Sequence, residues 1–154
     1  MADFDIITAR VATGAAVNSA ADAQALVSAG VTHIIDVTDA ADDREWLSCL
    51  GIGYLYNPTA DDGTLKPASW WRASLSFAVQ AYSQLGTCVY AHCSAGVNRG
   101  PSTAYAIMRA CFGLDSPHAA DLIRAARPQV RLAYAGQFDA YWAAANPGKA
   151  MGPW

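Results

Sequence analysis

The chain has few lysines, no excess of positive charge and no long apolar run, and each shortage removes a class of function. Eight Arg and two Lys stand against thirteen acidic residues, giving a formal net charge of −3 over 154 residues. The basic residues are scattered rather than striped, so there is no bulk attraction to nucleic acid or to an anionic membrane. Any anion held here must be held locally. No apolar run approaches the roughly 20 residues that span a bilayer, and the opening MADFDIITAR lacks the basic start and apolar centre of a signal peptide. A cytoplasmic protein without membrane or nucleic-acid partners is expected. Cys49, Cys88, Cys93 and Cys111 show no CxxC spacing and the three histidines lie far apart, which suggests neither a zinc site nor a disulfide framework. Cys88 precedes Cys93 on one expected strand, about 16 Å away when extended, too far for a disulfide. Cys49, Cys88 and Cys111 are expected to serve packing.

What is present is an alternation. With 53% hydrophobic residues, a chain of this length builds one domain, 1–154, its core over about 6–145 with a Pro/Gly tail at 146–154. FDIITARVATG reads as a strand ending at Gly14, and SAADAQALVSAG as a helix capped at Asn18 or Ser19 and stopped by Gly30. VTHIIDVT is a β-branched strand, DDREWLSCLG a short helix and IGYLYN another strand. The polar loop PTADDGTLKP leads into a helix from Ala68 to Leu85, then a strand from Thr87 to His92, then a helix from about Gly100 to Phe112. DSPHAADLIRAARP adds a helix with Ser116 as N-cap and Pro117 in its first position, and YAGQFDAYWAAA gives the last one. Alternation of this kind means an α/β fold with a central, largely parallel sheet of about four to five strands flanked by helices.

The most informative stretch is HCSAGVNRGPS, from His92 onward, set between the expected strand TCVYA and a helix. Strand ends in open α/β sheets are where ligands sit, and a loop feeding a helix N-terminus directs unpaired N–H groups and the positive dipole end at one point. That point favours a phosphate-like dianion. A cysteine on its floor has its thiolate stabilised by the same groups. Gly96 lets the backbone curl, and Arg99 offers a planar fork that matches two phosphoryl oxygens.

His92, Cys93, Gly96 and Arg99 match the HCxxGxxR signature, and the chain resembles the cysteine-dependent protein tyrosine phosphatase superfamily, in its small dual-specificity branch. With this composition a chance match is on the order of a few in ten thousand. The resemblance runs from about Ile6 to Ala145. It implies that Cys93 is the nucleophile and that Ser94, Ala95, Gly96, Val97, Asn98 and Arg99 form the phosphate cradle, with Arg99 also catalytic and His92 in support. No metal or organic cofactor is implied. The family's general acid lies on a mobile loop roughly thirty residues before the cysteine, where Asp61 and Asp62 compete; Asp61 is favoured for its Asp-x-Gly arrangement, with Asp62 as alternate.

The implied activity is a protein phosphatase that hydrolyses phosphotyrosine, with phosphoserine and phosphothreonine as further substrates, through a phosphocysteine intermediate; its partner is a phosphorylated protein or peptide. Two other readings stay open: a weakly active pseudophosphatase that binds phosphorylated partners, and a phosphatase of small phosphorylated metabolites or RNA 5′ ends. Ser94, Ala95, Val97 and Asn98 are uncharged, whereas phosphoinositide-directed relatives tend to carry lysines there. One departure is Gly100, where the family usually has Ser or Thr; Ser102 is a substitute hydroxyl but is expected to cap or face outward. Trp70 and Trp71 open a helix beside the Asp61 loop; contact with an aromatic substrate is one reading, and the favoured one is that one of the pair faces the core. Arg127 and Arg131, after the penultimate helix, either line the site or sit in solvent, with solvent favoured, and His33 and His118 are expected to be structural or solvated.

Overall fold

Five strands form one sheet in the computed structural model, which describes residues 1–40 and 42–148. The first expected strand is two: β1 (Phe4–Thr8) and β2 (Val11–Gly14) pair antiparallel as a hairpin. The two-residue break at Ala9–Arg10 escapes the sequence pattern because it carries no Gly, Pro or Asn. β3 (His33–Asp36), β4 (Gly53–Tyr56) and β5 (Val89–His92) complete the order β1-β2-β5-β3-β4, and β2, β5, β3 and β4 run parallel. β5 is therefore central, and its four residues are all buried.

Register aligns the strand ends. Gly14 and Asp36 both pair with His92, and Tyr56 pairs with Asp36. Four loops thus leave the sheet at one carboxyl edge, which is where an α/β sheet presents its ligand.

Helices cover both faces. α1 (Ala20–Ser28) is capped by the Ser19 side chain, which accepts from the Asp22 amide. With the four-residue α2 (Arg44–Leu47) it covers one face, Leu26 and Leu47 joining Val31 and the β3 residue Ile34 in one buried cluster. The other face carries α3 (Ala68–Tyr82), α4 (Arg99–Phe112), α5 (Ser116–Ala126) and α6 (Ala135–Ala145). α4 is buried without interruption from Arg99 to Ala110, so it is the hydrophobic axis of the layer. α5 is capped by Asp115 rather than Ser116: the Asp115 carboxylate accepts from the His118 amide, and Pro117 moves to the second turn position. No helix among the described residues is long and apolar enough to cross a membrane. Of the expected tail, residues 149–154 lie outside the described residues.

Both tryptophans at the start of α3 face inward. Trp70 is 6% and Trp71 1% exposed; the Trp70 indole N–H donates to Asn57 O at 2.9 Å, and Trp71 meets Phe138 edge-on at 5.4 Å. Neither is free to contact substrate. Each side chain buried in this way contributes about 1.5–3 kcal/mol. Cys88 is buried, and that burial pushes its thiol up to about 11. Cys49, by contrast, is exposed in a left-handed turn at φ 75° and packs nothing.

Candidate active site

The chain leaves β5 at Cys93, turns through Asn98 and enters α4 at Arg99. Its carbonyls are all pulled outward. His92 Nδ1 meets Cys93 O at 3.3 Å, and the Ala16 amide donates to Ser94 O at 3.1 Å. Arg127 donates from Nη2 to Ala95 O at 3.1 Å and from Nε to Gly96 O at 2.8 Å. The Arg131 and Ser102 amides donate to Val97 O and Asn98 O, both at 2.9 Å. Peptide planarity sets each following N–H opposite its carbonyl. The amides of Ser94 to Arg99 accordingly turn inward, and none finds an acceptor among the described residues. Such a run of convergent amides is an anion nest.

Gly96 makes the curl possible. It sits at φ 69°, and a Cβ there would lie 2.5 Å from the Gly14 carbonyl carbon and 2.8 Å from the Ala15 nitrogen. Gly100 has a different reason to be glycine: a Cβ would come within 2.8 Å of the Cys93 nitrogen and of His92 Cα. The helix therefore approaches the strand too closely for any side chain at 100. Ser102 is fully buried, against expectation, and its Oγ accepts from the Tyr134 amide at 3.3 Å.

Arg99 is 6% exposed and uses its guanidinium unevenly. Nη1 donates to Asp39 Oδ1 and to Thr59 O, both at 2.8 Å. Among the described residues Nη2 makes only a 3.4 Å bond to Ser94 Oγ, and Nε is buried with no partner. A buried unsatisfied donor is costly unless a ligand meets it. One edge of the fork is anchored and the other, Nε and Nη2, is left for an oxyanion. The same pairing with Arg99 holds the Asp39 carboxyl below its ordinary range.

Behind the cradle, His92 is fully buried and bonds through Nε2 to Asp43, with Asp36 3.9 Å away. Burial pulls the imidazole pKa down, but the Asp43 bond and the charges of Asp43 and Asp36 outweigh it and the net shift is upward. A protonated ring can donate from both nitrogens, to Asp43 and to Cys93 O. Burial raises Asp36, opposed by the charge of His92. Asp36, Asp43 and His92 have metal-ligand proximity. However, Asp36 already accepts from the Thr38 amide and hydroxyl and from the Tyr54 phenol, so the group is a satisfied polar network joining β3, α2 and the cradle.

The loop that carries Asp61 and Asp62 packs against the other side. Lys66 is 5% exposed and donates to Ala60 O at 2.6 Å and Asp62 Oδ1 at 3.0 Å. Thr64 adds its hydroxyl and amide to the same Asp62 oxygen, and these bonds hold the Asp62 carboxyl far below its ordinary value. Asp61 accepts a single bond, from the Tyr134 hydroxyl at 2.9 Å.

Of the expected site residues, His92 through Arg99 form one continuous cradle, and the Asp61 loop is tied to it through the Arg99–Thr59 bond. Arg127 corrects the expectation of solvent: it is 1% exposed and also binds Asp3 and Asp5. Arg131 has an exposed side chain and contributes its amide. Sequence reasoning passed over Asp39, Asp43, Lys66 and Tyr134. An even spread of charge gave no local signal for any of them, since each acts on a partner distant in the chain or within an unpatterned loop.

No family model matches the chain, and no curated protein does. Solved structures match closely in shape. PTPMT1 is 22% identical over 93% of this chain and 99% of its own, with a TM-score of 0.74, and is also known in complex with PI(5)P. The human tyrosine phosphatase-like serine/threonine/tyrosine-interacting protein is 18% identical over 94% of this chain and 99% of its own, TM-score 0.76. DUSP15 is 21% identical over 95% and 92%, TM-score 0.76. The chain has the fold of the small dual-specificity and tyrosine-phosphatase-like proteins.

Proposed function

We propose that the protein is a phosphoric monoester hydrolase acting on phosphotyrosine, and on phosphoserine and phosphothreonine, in proteins or peptides. The observation that carries this reading is a cradle whose amides have no acceptor, beside an Arg99 whose buried Nε has no partner, among the described residues. Three phosphoryl oxygens satisfy both.

Cys93 attacks phosphorus as a thiolate from the cradle floor: an S–P bond forms and the P–O bond to the leaving group breaks. Asp61 gives that oxygen its proton. Water, deprotonated by the Asp61 carboxylate, then attacks the phosphocysteine and releases phosphate and thiolate. Arg99 and the amides stabilise the equatorial oxygens in both steps. Asp62 suits the acid role poorly, because its bonds to Thr64 and Lys66 keep it ionised.

The substrate class follows from the rim. Ser94, Ala95, Val97 and Asn98 bring no positive charge, while the Asp39, Asp61 and Asp62 side chains stand exposed or half-exposed about the opening. A single phosphate is favoured over a polyanionic inositol headgroup. A pseudophosphatase is opposed by the simultaneous presence of Cys93, Arg99 and Asp61. We place the enzyme in the reducing cytoplasm, where the Cys93 thiol that the mechanism needs stays reduced.

The test is phosphate release from a panel of phosphopeptides, PI(5)P and inositol phosphates, with Cys93→Ser alongside. Turnover of phosphopeptides that falls at least about a thousandfold in the variant, with tungstate still bound, is expected. Preference for PI(5)P would overturn the substrate class, and an active Cys93→Ser would overturn the mechanism.

A further inference from the structure

The segment between α5 and α6 is fastened to the cradle by its backbone and to the acid loop by one side chain. Its Arg131 amide donates to Val97 O at 2.9 Å, the Ala133 amide to Asn98 Oδ1 at 3.0 Å and the Tyr134 amide to Ser102 Oγ at 3.3 Å. Between them Leu132, buried and not a glycine, is held at φ 54°. A left-handed backbone at a bulky residue is retained only where its surroundings fix it. From this braced turn the Tyr134 side chain, 1% exposed, crosses to the acid loop. Its hydroxyl accepts from the Gly63 amide at 2.9 Å and donates to Asp61 Oδ1 at 2.9 Å. The Lys66 ammonium lies 4.9 Å from the centre of its ring.

Resting on the phosphatase reading above, we infer that Tyr134 is a positioning residue for the general acid, fixing Oδ1 of Asp61 so that Oδ2 carries the proton delivered to the leaving group. The tyrosine has one proton to give, and it gives it to Oδ1. In the first step the Oδ2–H bond breaks as the leaving oxygen takes the proton, and the Tyr134 bond stabilises the carboxylate left behind. In the second step the carboxylate takes a proton back from water. Tyr134 loses nothing in either step. Because the turn that carries it is bound to Val97, Asn98 and Ser102, the acid is held in register with the phosphate cradle, and not merely with its own loop.

Tyr134→Phe keeps the ring under Lys66 and removes only the hydroxyl, so the fold is expected to survive. With phosphotyrosyl peptide, kcat should fall about tenfold, the loss of one hydrogen bond to a charged group, while KM stays within about twofold. Aryl phosphates with acidic phenols should be affected less, since a good leaving group needs little protonation. On an Asp61→Asn background the same substitution should cost nothing further, because the acid it positions is gone. Equal losses for good and poor leaving groups, or an undiminished loss on the Asp61→Asn background, would mean that Tyr134 is structural and overturn the inference alone. Absence of turnover in the wild-type protein would overturn the phosphatase reading and this inference with it.

Discussion

The cradle and the acid loop face each other, and they are held in opposite ways. From Cys93 to Asn98 each backbone carbonyl has a partner, and the four from Ser94 to Val97 are held by Ala16, Arg127 and Arg131 from distant segments, so the shape belongs to the backbone. From Ala60 to Lys66 the shape is imposed by side chains: Lys66 from within, Tyr134 and Gln137 from outside. The first arrangement is stiff, since shifting one residue breaks bonds to several elements at once. The second can open by exchanging a few side-chain bonds for water, which is what the proposed general-acid role asks of it.

Substitutions separate the two regions. Gly96→Ala should be the most damaging, costing about 2–4 kcal/mol through a left-handed residue pressed on backbone and abolishing phosphate-analogue binding; denaturant melts and tungstate titration would report both. Arg127→Met removes the donors to Ala95 O and Gly96 O. It should cost about 2–3 kcal/mol, the share from the exposed Asp3 and Asp5 carboxylates being small, with loss of activity in proportion to loss of binding.

Gly100→Ser comes next, at about 1–3 kcal/mol from overpacking against Cys93 and His92. In relatives a hydroxyl at this place assists departure of the cysteine thiolate; here no side chain fits, and Ser102 is engaged with Tyr134. Hydrolysis of the phosphocysteine should limit turnover, giving a burst near one equivalent of first product in stopped-flow assays, and Gly100→Ser should not speed the slow phase.

The Asp61 loop should respond chiefly in activity, with a smaller change in stability. Asp61→Asn should slow phosphopeptides far more than activated aryl phosphates, while Asp62→Asn should leave leaving-group dependence intact. The smallest effect is on stability against pH. The Asp62 carboxyl is lower in the folded chain than its ordinary value of 3.8, so its stabilisation is present above that value and is lost as pH falls through the folded one. Asp62→Asn should flatten the acid side of the stability curve below about pH 4, seen as a smaller drop in Tm.

The same contrast explains what could be read before the fold was known. The cradle was legible because its chemistry is local: a strand, a cysteine, a glycine and an arginine within eight positions. The helix N-terminus of α1 was legible for the same reason, Ser19 acting three residues from its target. Arg127 was not, because its partners lie 31 and 124 residues away. Nor was the Tyr134–Asp61 bond, at a separation of 73, or the His92–Asp43 pair, at 49. Periodicity shows which face of a helix is buried, and says nothing of which charge will be carried inside with it.

Arg127 also sets an order in time. It lies 31 residues beyond Gly96, so the cradle is finished only when the end of α5 has packed back onto the Cys93 loop and its guanidinium has reached Ala95 O and Gly96 O. Closing a loop that spans both α4 and α5 comes later than forming either helix. The sheet and α4 can assemble around an unfinished Cys93 loop, and a nascent chain emerging through α4 already carries the cysteine and Arg99 without the brace that shapes the nest. Catalysis is therefore expected to appear last in refolding, with the slowest phase seen by fluorescence, and a chain halted before Arg127 should bind no phosphate however much of its sheet has formed.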